Sequence, residues 1–394
     1  MEYTESDGRL VVSLAGRIDS ANASALSSEL LAIAESRPEL PMELDATGLE
    51  YVSSAGLRGV LKLLKQHKAG VRVVNASPEV YEIFDVTGFT QLIEVSRALR
   101  TVSVEGLPFV GKGGNGTVYR LDEDTIVKVY KPWMGLADIQ RERDFARTAF
   151  VNGIPCPIAF DVVRVGDCLG VVFEMIRSDT LAHAMRDNPQ DLGQWVARYV
   201  ELVRTLHATH VPNCGFTDIH DLLHGRADGL GQWCTTEEIR LLHEIVDAIP
   251  VSDTLTHNDL HPGNIMVQDS ELLIIDMPDV TLAPPVCDLT AIYRDMIESA
   301  RNSSALIEGL IGMPQEMIGR VANMFFSSYT GIEGEAELTA YYRKLDLLCA
   351  FNVTFAPAAG GENGLKWADY IMENKLRQIV VPNASTIKEL YQTL

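Results

Sequence analysis

The sequence predicts two domains of different build: an N-terminal α/β layer, then an α+β unit with a small β-rich lobe and a large helical lobe. Three observations predict it. Strand-like and helix-like runs alternate through about the first hundred residues; a glycine-rich run (111–116) leads into strands rather than a helix; and from about residue 178 the periodicity is mainly helical. A length of 394 residues also calls for two or three domains rather than one core. The hydrophobic fraction of 46% is globular. A formal charge of −21 argues against nucleic acid, which draws most of its affinity from a basic face. The same charge suits solubility and is compatible with cationic ligands.

RLVVSLAGRI (9–18) alternates as a half-buried strand and breaks at Asp19. SANASALSSELLAIAE (20–35) places Leu26, Leu30 and Ile33 at helical spacing. PMELDATGLEYVSSAGLRGVLKLLKQ (41–66) reads as a strand, a tight connection and an amphipathic helix, with Leu57, Val60, Leu61 and Leu64 on one face. GVRVVNAS (70–77) is a strand, PEVYEIFDVTGF (78–89) a short helix ending near Gly88, and LIEVS closes the unit.

LAGRIDSANA, LDATGLEYVSSAGLR and VTGF occur in the order found in the STAS domain, and residues 1–98 resemble that fold of bacterial anti-sigma factor antagonists. The resemblance implies a phosphorylatable serine just before the Gly-Leu pair and an anti-sigma-type partner. With Ala55 removing one position of the cluster, Ser54 is the first choice and Ser53 the second. A serine where the helix begins can cap its free N–H groups, and most serines so placed do only that. A phosphate there would add roughly −1.5 to −2 charge, tolerated by the helix dipole but repulsive to a partner needing a neutral surface.

Residues 99–106 read as a linker, and from about Thr101 the texture changes. In LPFVGKGGNGTVYRLDEDTIVKVYK (107–131), Gly111, Gly113, Gly116 and Val118 fit G-x-G-x-x-G-x-V, a loop whose backbone can approach phosphates closely. A dinucleotide fold would put a helix next; here a hairpin follows. Lys128 falls in the second strand of that hairpin, where a phosphate-pairing lysine belongs. DIQRERDFARTAFVNGIPCP (138–157) reads as a helix ending at Gly153, with Glu142 the best ion-pair partner for Lys128. GVVFEMI (170–176) reads as a buried strand, and in a kinase-like frame Glu174, Met175 and Ile176 would be the hinge whose backbone meets adenine. The small lobe then spans 107–177 and the large lobe 178–394, the latter with helices over 192–209, 237–249 and from Glu316 to Tyr329.

HNDLHPGNIM (257–266) and LLIIDMP (272–278) carry the chemistry. The spacing H-x-D-x-x-x-x-N is that of a kinase catalytic loop. Asp259 fits the carboxylate that positions the attacking hydroxyl and takes its proton, while Asn264 and Asp276 supply oxygen ligands for Mg²⁺.

On HNDLHPGNI, residues 105 to about 390 resemble the aminoglycoside phosphotransferase and choline-kinase-like branch of the kinase superfamily. Asn258 and His261 stand where protein kinases keep Arg and Lys, Asp276-Met277-Pro278 replaces D-F-G, and no A-P-E motif follows. The resemblance implies ATP and Mg²⁺ as cofactors. It makes Asp288 a brace for the catalytic loop and His257 a hydrogen-bonding brace, and leaves His261 as a simple loop residue. VTLAPPVCDL (280–289) leads quickly into a helix, so no long peptide-binding segment is present.

Three functions follow from these expectations. One is an ATP-dependent kinase acting on Ser54 of its own chain or of a partner STAS protein. Another is a small-molecule kinase for an aminoglycoside, choline or similar hydroxylated metabolite, docked or regulated by the STAS domain. The third is a non-enzymatic ATP-binding scaffold.

Six cysteines (156, 168, 214, 234, 287, 349) are scattered without C-x-x-C or zinc spacing, so reduced, buried thiols are expected. The polar N-terminus MEYTESDGRL is not a signal peptide, and no stretch approaches the ~20 apolar residues of a membrane span. A cytoplasmic protein with no nucleic-acid or membrane partner is therefore expected.

Overall fold

Leu10, Val12 and Leu14 alternate with more exposed neighbours, and this two-residue period turns one face of the first long strand into a core. A computed structural model describes residues 3–6, 8–114, 116–211, 215–268, 271–302, 304–359 and 362–394. The chain divides into two units, Met1–Ser103 and Val104–Leu394.

The first unit is a five-stranded sheet in the order β1 (Tyr3–Ser6), β2 (Arg9–Ile18), β3 (Met42–Val52), β4 (Val71–Ala76), β5 (Val95–Arg97). β1 pairs antiparallel to β2, and every later pairing is parallel. The short polar YTES of β1 carries no apolar alternation, so it was not legible as a strand. Helices α1 (Ala23–Ser36), α2 (Ser54–Gln66) and α3 (Pro78–Val86) link the parallel strands, as α/β crossovers must. Leu30, Leu57, Val60, Leu63, Val80 and Phe84 join the strand residues in one core.

At the start of α2 the two serines separate. Ser53 is the N-cap, its hydroxyl accepting the Gly56 N–H at 3.3 Å. Ser54 is the first helical residue and is exposed. The capping role expected at Ser54 therefore belongs to its neighbour, because only the residue before the first helical position has the extended backbone that points a hydroxyl back at the helix. Gly56 is required by packing: a Cβ there would lie 2.6 Å from Ile18 Cγ2 and 2.8 Å from Val52 Cγ2.

In the second unit, strands Phe109–Lys112, Gly116–Arg120, Thr125–Tyr130, Cys168–Glu174 and Ala159–Val165 lie side by side in that order, all antiparallel. Helix α4 (Leu136–Val151) packs on this sheet and ends before Gly153, whose φ of 84° only glycine adopts without strain. The remainder is mainly helical: α5 (Leu181–Asp187), α6 (Leu192–His207), α7 (Ile219–Asp228), α8 (Thr236–Val246), α9 (Val286–Tyr293), then the long helices Gln315–Thr330 and Glu335–Thr354. A small hairpin, Ile265–Gln268 with Glu271–Ile274, sits in this lobe and frames the residues between 257 and 276.

Cys156, Cys287 and Cys349 are buried free thiols and Cys168 and Cys234 are half-buried ones, whereas Cys214 lies outside the described residues. Among the described residues, no helix is long and apolar enough to cross a membrane.

Candidate active site

Strand Thr125–Tyr130 buries Val127 and Tyr130 and carries Lys128 on the adjacent register position. The Lys128 ammonium reaches Glu142 Oε1 of α4 at 2.8 Å and Asp276 Oδ1 at 2.6 Å. Burial pulls the lysine pKa down, but the two carboxylates outweigh it and hold it above the ordinary lysine value. Glu142 is pushed up, chiefly by its own burial, with Lys128 opposing. The structure thus brings Lys128, Glu142 and Asp276 together from a strand, a helix and the segment after the small hairpin.

The glycines of the loop divide by role. A Cβ on Gly111 or Gly113 would meet nothing within 4 Å, so these backbones are open to a ligand. On Gly116 it would stand 2.4 Å from the Val129 carbonyl oxygen. At Gly116 the close passage of two strands itself demands glycine, a reason beside the phosphate approach expected from the motif. Val118 pairs with Gly111 on one side and Lys128 on the other.

At the end of strand Cys168–Glu174, the Glu174 side chain accepts the Ile158 N–H at 3.1 Å and ties two strands together. The Met175 N–H donates to the Asp124 carbonyl at 2.7 Å, and the Arg177 N–H to Gln268 Oε1 at 3.1 Å. Among the described residues the Ile176 N–H between them has no partner, so one backbone donor remains open at this strand end.

The 257–264 loop is held from beneath by Asp288 of α9, which is fully buried. Its carboxylate accepts the His257 N–H at 2.9 Å, the Asn258 N–H at 2.5 Å and His207 Nε2 at 3.1 Å. Burial would raise the Asp288 pKa, but these bonds and the nearby histidines win and hold it below the usual aspartate value. His257 bonds the Ile275 carbonyl through Nε2 at 3.1 Å, joining the loop to the segment that ends in Asp276. Asn258 and Asp276 both adopt left-handed φ values, 63° and 66°. Such backbones cost on the order of 1–3 kcal/mol and persist only when surrounding bonds over-determine them. At Asn258 those bonds run from Nδ2 to the Asp279 carbonyl (2.8 Å) and Thr281 Oγ1 (2.9 Å).

Asn264 Nδ2 donates to the Asp259 carbonyl at 2.9 Å and to Asp259 Oδ2 at 2.8 Å, fixing the carboxylate and leaving Asn264 Oδ1 free as a ligand. Asp259 is pushed up to about 8 by burial first and then by Asp295, with Arg294 opposing and Asp279 and Asp276 adding. A carboxyl so placed suits proton transfer near neutral pH. Among the described residues no cluster of three or more His, Cys, Asp or Glu could hold a metal by itself. Asn264 Oδ1 and the second oxygen of Asp276 would be the oxygen ligands available to a hard divalent cation such as Mg²⁺.

His261 is more than a loop residue. It is buried, its Nδ1 accepts the Gly263 N–H at 3.1 Å, and burial chiefly lowers its pKa to about 4. An accepting Nδ1 on a neutral ring puts the proton on Nε2, which lies 3.9 Å from Asp259 Oδ1. Arg294 was not visible from the sequence: it pairs with Asp295 at 2.7 Å, donates to the Asn258 carbonyl at 3.2 Å and lies 3.8 Å from Asp259. Its only signal is a plain Arg-Asp dipeptide inside a helical run. A cavity of about 290 Å³ opens beside Asp259, lined among others by Ile219, Leu223 and Arg226 of α7, by Asp279, and by Asn352.

Comparison with known proteins assigns the chain to a family. Residues 106–317 match the model of a phosphotransferase enzyme family, more than half of the whole length. The chain belongs to that family. Residues 1–94 match the STAS domain described as Mlab, so the protein is a kinase-like phosphotransferase enzyme fused to a STAS domain. A putative anti-sigma factor antagonist, BtrV of Bordetella bronchiseptica, is 38% identical over 95 residues, covering 23% of this phosphotransferase and 81% of that protein. The anti-sigma-B factor antagonist of Bacillus subtilis is 27% identical over 99 residues, covering 24% and 89%. Among solved structures, a choline/ethanolamine kinase family protein from Mesorhizobium loti is 15% identical with a TM-score of 0.45, covering 73% of this chain and 92% of that one. The streptomycin–ATP–APH(2")-IIa ternary complex is 15% identical with a TM-score of 0.43, covering 75% and 96%.

Proposed function

We propose that the second unit transfers the γ-phosphate of Mg-ATP to a hydroxyl, and that Ser54 of the STAS unit is an acceptor, in the same chain or in a partner STAS protein. The observation that carries the reading is the contrast at α2: the Ser53 hydroxyl is consumed as the cap, while Ser54 is exposed and its hydroxyl makes no hydrogen bond among the described residues. Its phosphorylation would leave the cap intact and place charge at a helix N-terminus, where the dipole tolerates it. The neighbours that share this STAS sequence are described as anti-sigma factor antagonists, and a charge at that point would repel a partner seated on it.

In this reading Gly111, Gly113 and Gly116 carry the loop over the phosphates, Lys128 braced by Glu142 pairs with them, and Glu174 to Ile176 face the base through the free Ile176 amide. Asn264 and Asp276 would hold Mg²⁺, which neutralises charge on the transferring group. Asp259, held by Asn264, accepts the hydroxyl proton. Tethering raises the effective concentration of Ser54 to about the mM range, so weak intrinsic affinity suffices. A second reading, a small-molecule acceptor with the STAS unit as its docking module, is favoured by the cavity beside Asp259.

Phosphosite mapping by mass spectrometry after Mg-ATP tests the first reading. Label at Ser54 that vanishes in Asp259→Asn is expected, and a rate independent of protein concentration marks transfer within one chain. Unmodified Ser54 in wild type refutes it.

A further inference from the structure

The cavity at Asp259 has an unbalanced set of hydrogen-bonding groups. Arg226 lines it from α7, half-buried, its guanidinium with no hydrogen bond or ion pair among the described residues. A guanidinium cannot shed its proton, so a partly desolvated one without a partner is a standing cost. Burial lowers its pKa, and the only opposing group is Asp279, which lies beyond ion-pair distance and is itself exposed.

Two more donors line the same space. Asn352 accepts the Tyr391 hydroxyl through Oδ1 at 3.2 Å, leaving its Nδ2 unspent. Arg294 spends Nε and Nη2 on Asp295 and the Asn258 carbonyl, leaving Nη1. Against these donors stand Asp259, which in the transfer meets the acceptor hydroxyl, and Asp279 at the exposed edge; Asp295 and Asp276 also act on Asp259 but are paired with Arg294 and Lys128. The rest of the lining is largely apolar: Ile219, Leu222 and Leu223 share the face of α7 that carries Arg226, and Cys287 and Ala291 come from α9. A volume of about 290 Å³ is at the small end for ligand sites and suits a compact metabolite rather than a multi-ring one.

We propose that this cavity takes a small hydroxyl acceptor bearing an oxyanion, a carboxylate or a phosphate, which Arg226 and Asn352 bind while its hydroxyl meets Asp259. The proposal rests on the small-acceptor reading above. It departs from the cationic acceptor that the −21 charge of the chain would suggest, because the local donors and not the overall charge meet the ligand. In the transfer the acceptor oxygen bonds to the γ-phosphorus, and the bond from that phosphorus to the β–γ bridging oxygen breaks. The electron pair leaves with ADP and the hydroxyl proton passes to Asp259. Arg226 is a specificity residue that touches the acceptor away from the reacting atoms.

The test is calorimetric binding to the full chain saturated with Mg²⁺ and a non-hydrolysable ATP analogue. The probes are D-glycerate and 3-phosphoglycerate (oxyanions), glycerol (neutral), and choline and kanamycin (cationic). At least one oxyanion should bind, the others more weakly or not at all. Arg226→Gln should weaken the oxyanion by about tenfold or more, the size of one lost charged hydrogen-bond pair. Arg226→Lys should recover part of it, since a lysine keeps the charge without the planar fork. Failure of both oxyanions to bind, tighter binding of choline or kanamycin, or an oxyanion affinity unmoved in Arg226→Gln each overturns the proposal. Loss of the phosphotransferase reading is separately visible, as no nucleotide-analogue binding and no Asp259-dependent ADP release.

Discussion

Asp288→Asn is the most informative single change outside the reacting groups. The carboxylate takes three donors, the His257 and Asn258 amides and His207 Nε2. Asparagine keeps the shape but replaces one oxygen with a donor. Turned one way, its NH₂ faces the Asn258 N–H; turned the other, it faces the His257 N–H and forces His207 to change tautomer. Either way one buried backbone donor is orphaned, at about 1–3 kcal/mol, and a charge-assisted bond worth about 1.5–3 kcal/mol is lost. Because the terms overlap, the expected destabilisation of the second unit is about 2–4 kcal/mol. At roughly 2–4 °C per kcal/mol for a unit of this size, its melting transition should fall by on the order of 5–15 °C in scanning calorimetry.

The same substitution carries a pH signature. The folded pKa of Asp288 is depressed, so its contribution is present above the unfolded value of about 3.9 and is lost as pH falls through the lower folded value. The gap between wild type and Asp288→Asn should therefore be full at neutral pH and close below about pH 4. A shift under about 1 °C at pH 7, or a gap that widens in acid, would refute the account of Asp288 as the brace.

Two further outcomes follow from the glycines and serines. Gly116→Ala should unsettle the small lobe by about 1–3 kcal/mol, because its Cβ meets the Val129 carbonyl, while Gly113→Ala should leave the melting transition nearly unmoved. Equal effects in the thermal scan would show that strand approach is not the reason for Gly116. Ser53→Ala should cost the STAS unit about 1 kcal/mol through loss of its cap, and Ser54→Ala close to nothing. Denaturant unfolding of residues 1–103 within the full chain, followed by hydrogen exchange at α2, separates the two; a larger loss at Ser54 would reverse the assignment.

Local patterns carried most of the fold. Alternation marked β2 and the i, i+3, i+4 spacing marked α2, since each depends on a face set by a few neighbours. β1 escaped because its four residues show no apolar alternation and join β2 through a short backbone ladder. At the candidate site, motif spacing led to Lys128, Asp259, Asn264 and Asp276, which the structure gathers in one place. Which serine caps α2 was not legible, since a one-residue shift in helix start exchanges their roles. Arg226, Arg294 and His207 reach the site across 30 to 80 residues of chain, by packing of helices whose rotation no local period specifies. His261 had a visible position in the motif, but its burial and its neutral ring are products of the surrounding lobe.

Lys128 stands between carboxylates supplied by two lobes, 2.8 Å from Glu142 and 2.6 Å from Asp276. On the proposed reading, an arriving polyphosphate must win this ammonium away from Asp276. That exchange frees an aspartate oxygen just when a divalent cation needs one. Nucleotide and metal would thus each raise the other's affinity by the same factor, as reciprocity requires. The Lys128–Asp276 ion pair would act as a latch that holds one of the two Asp276 oxygens until the phosphates release it.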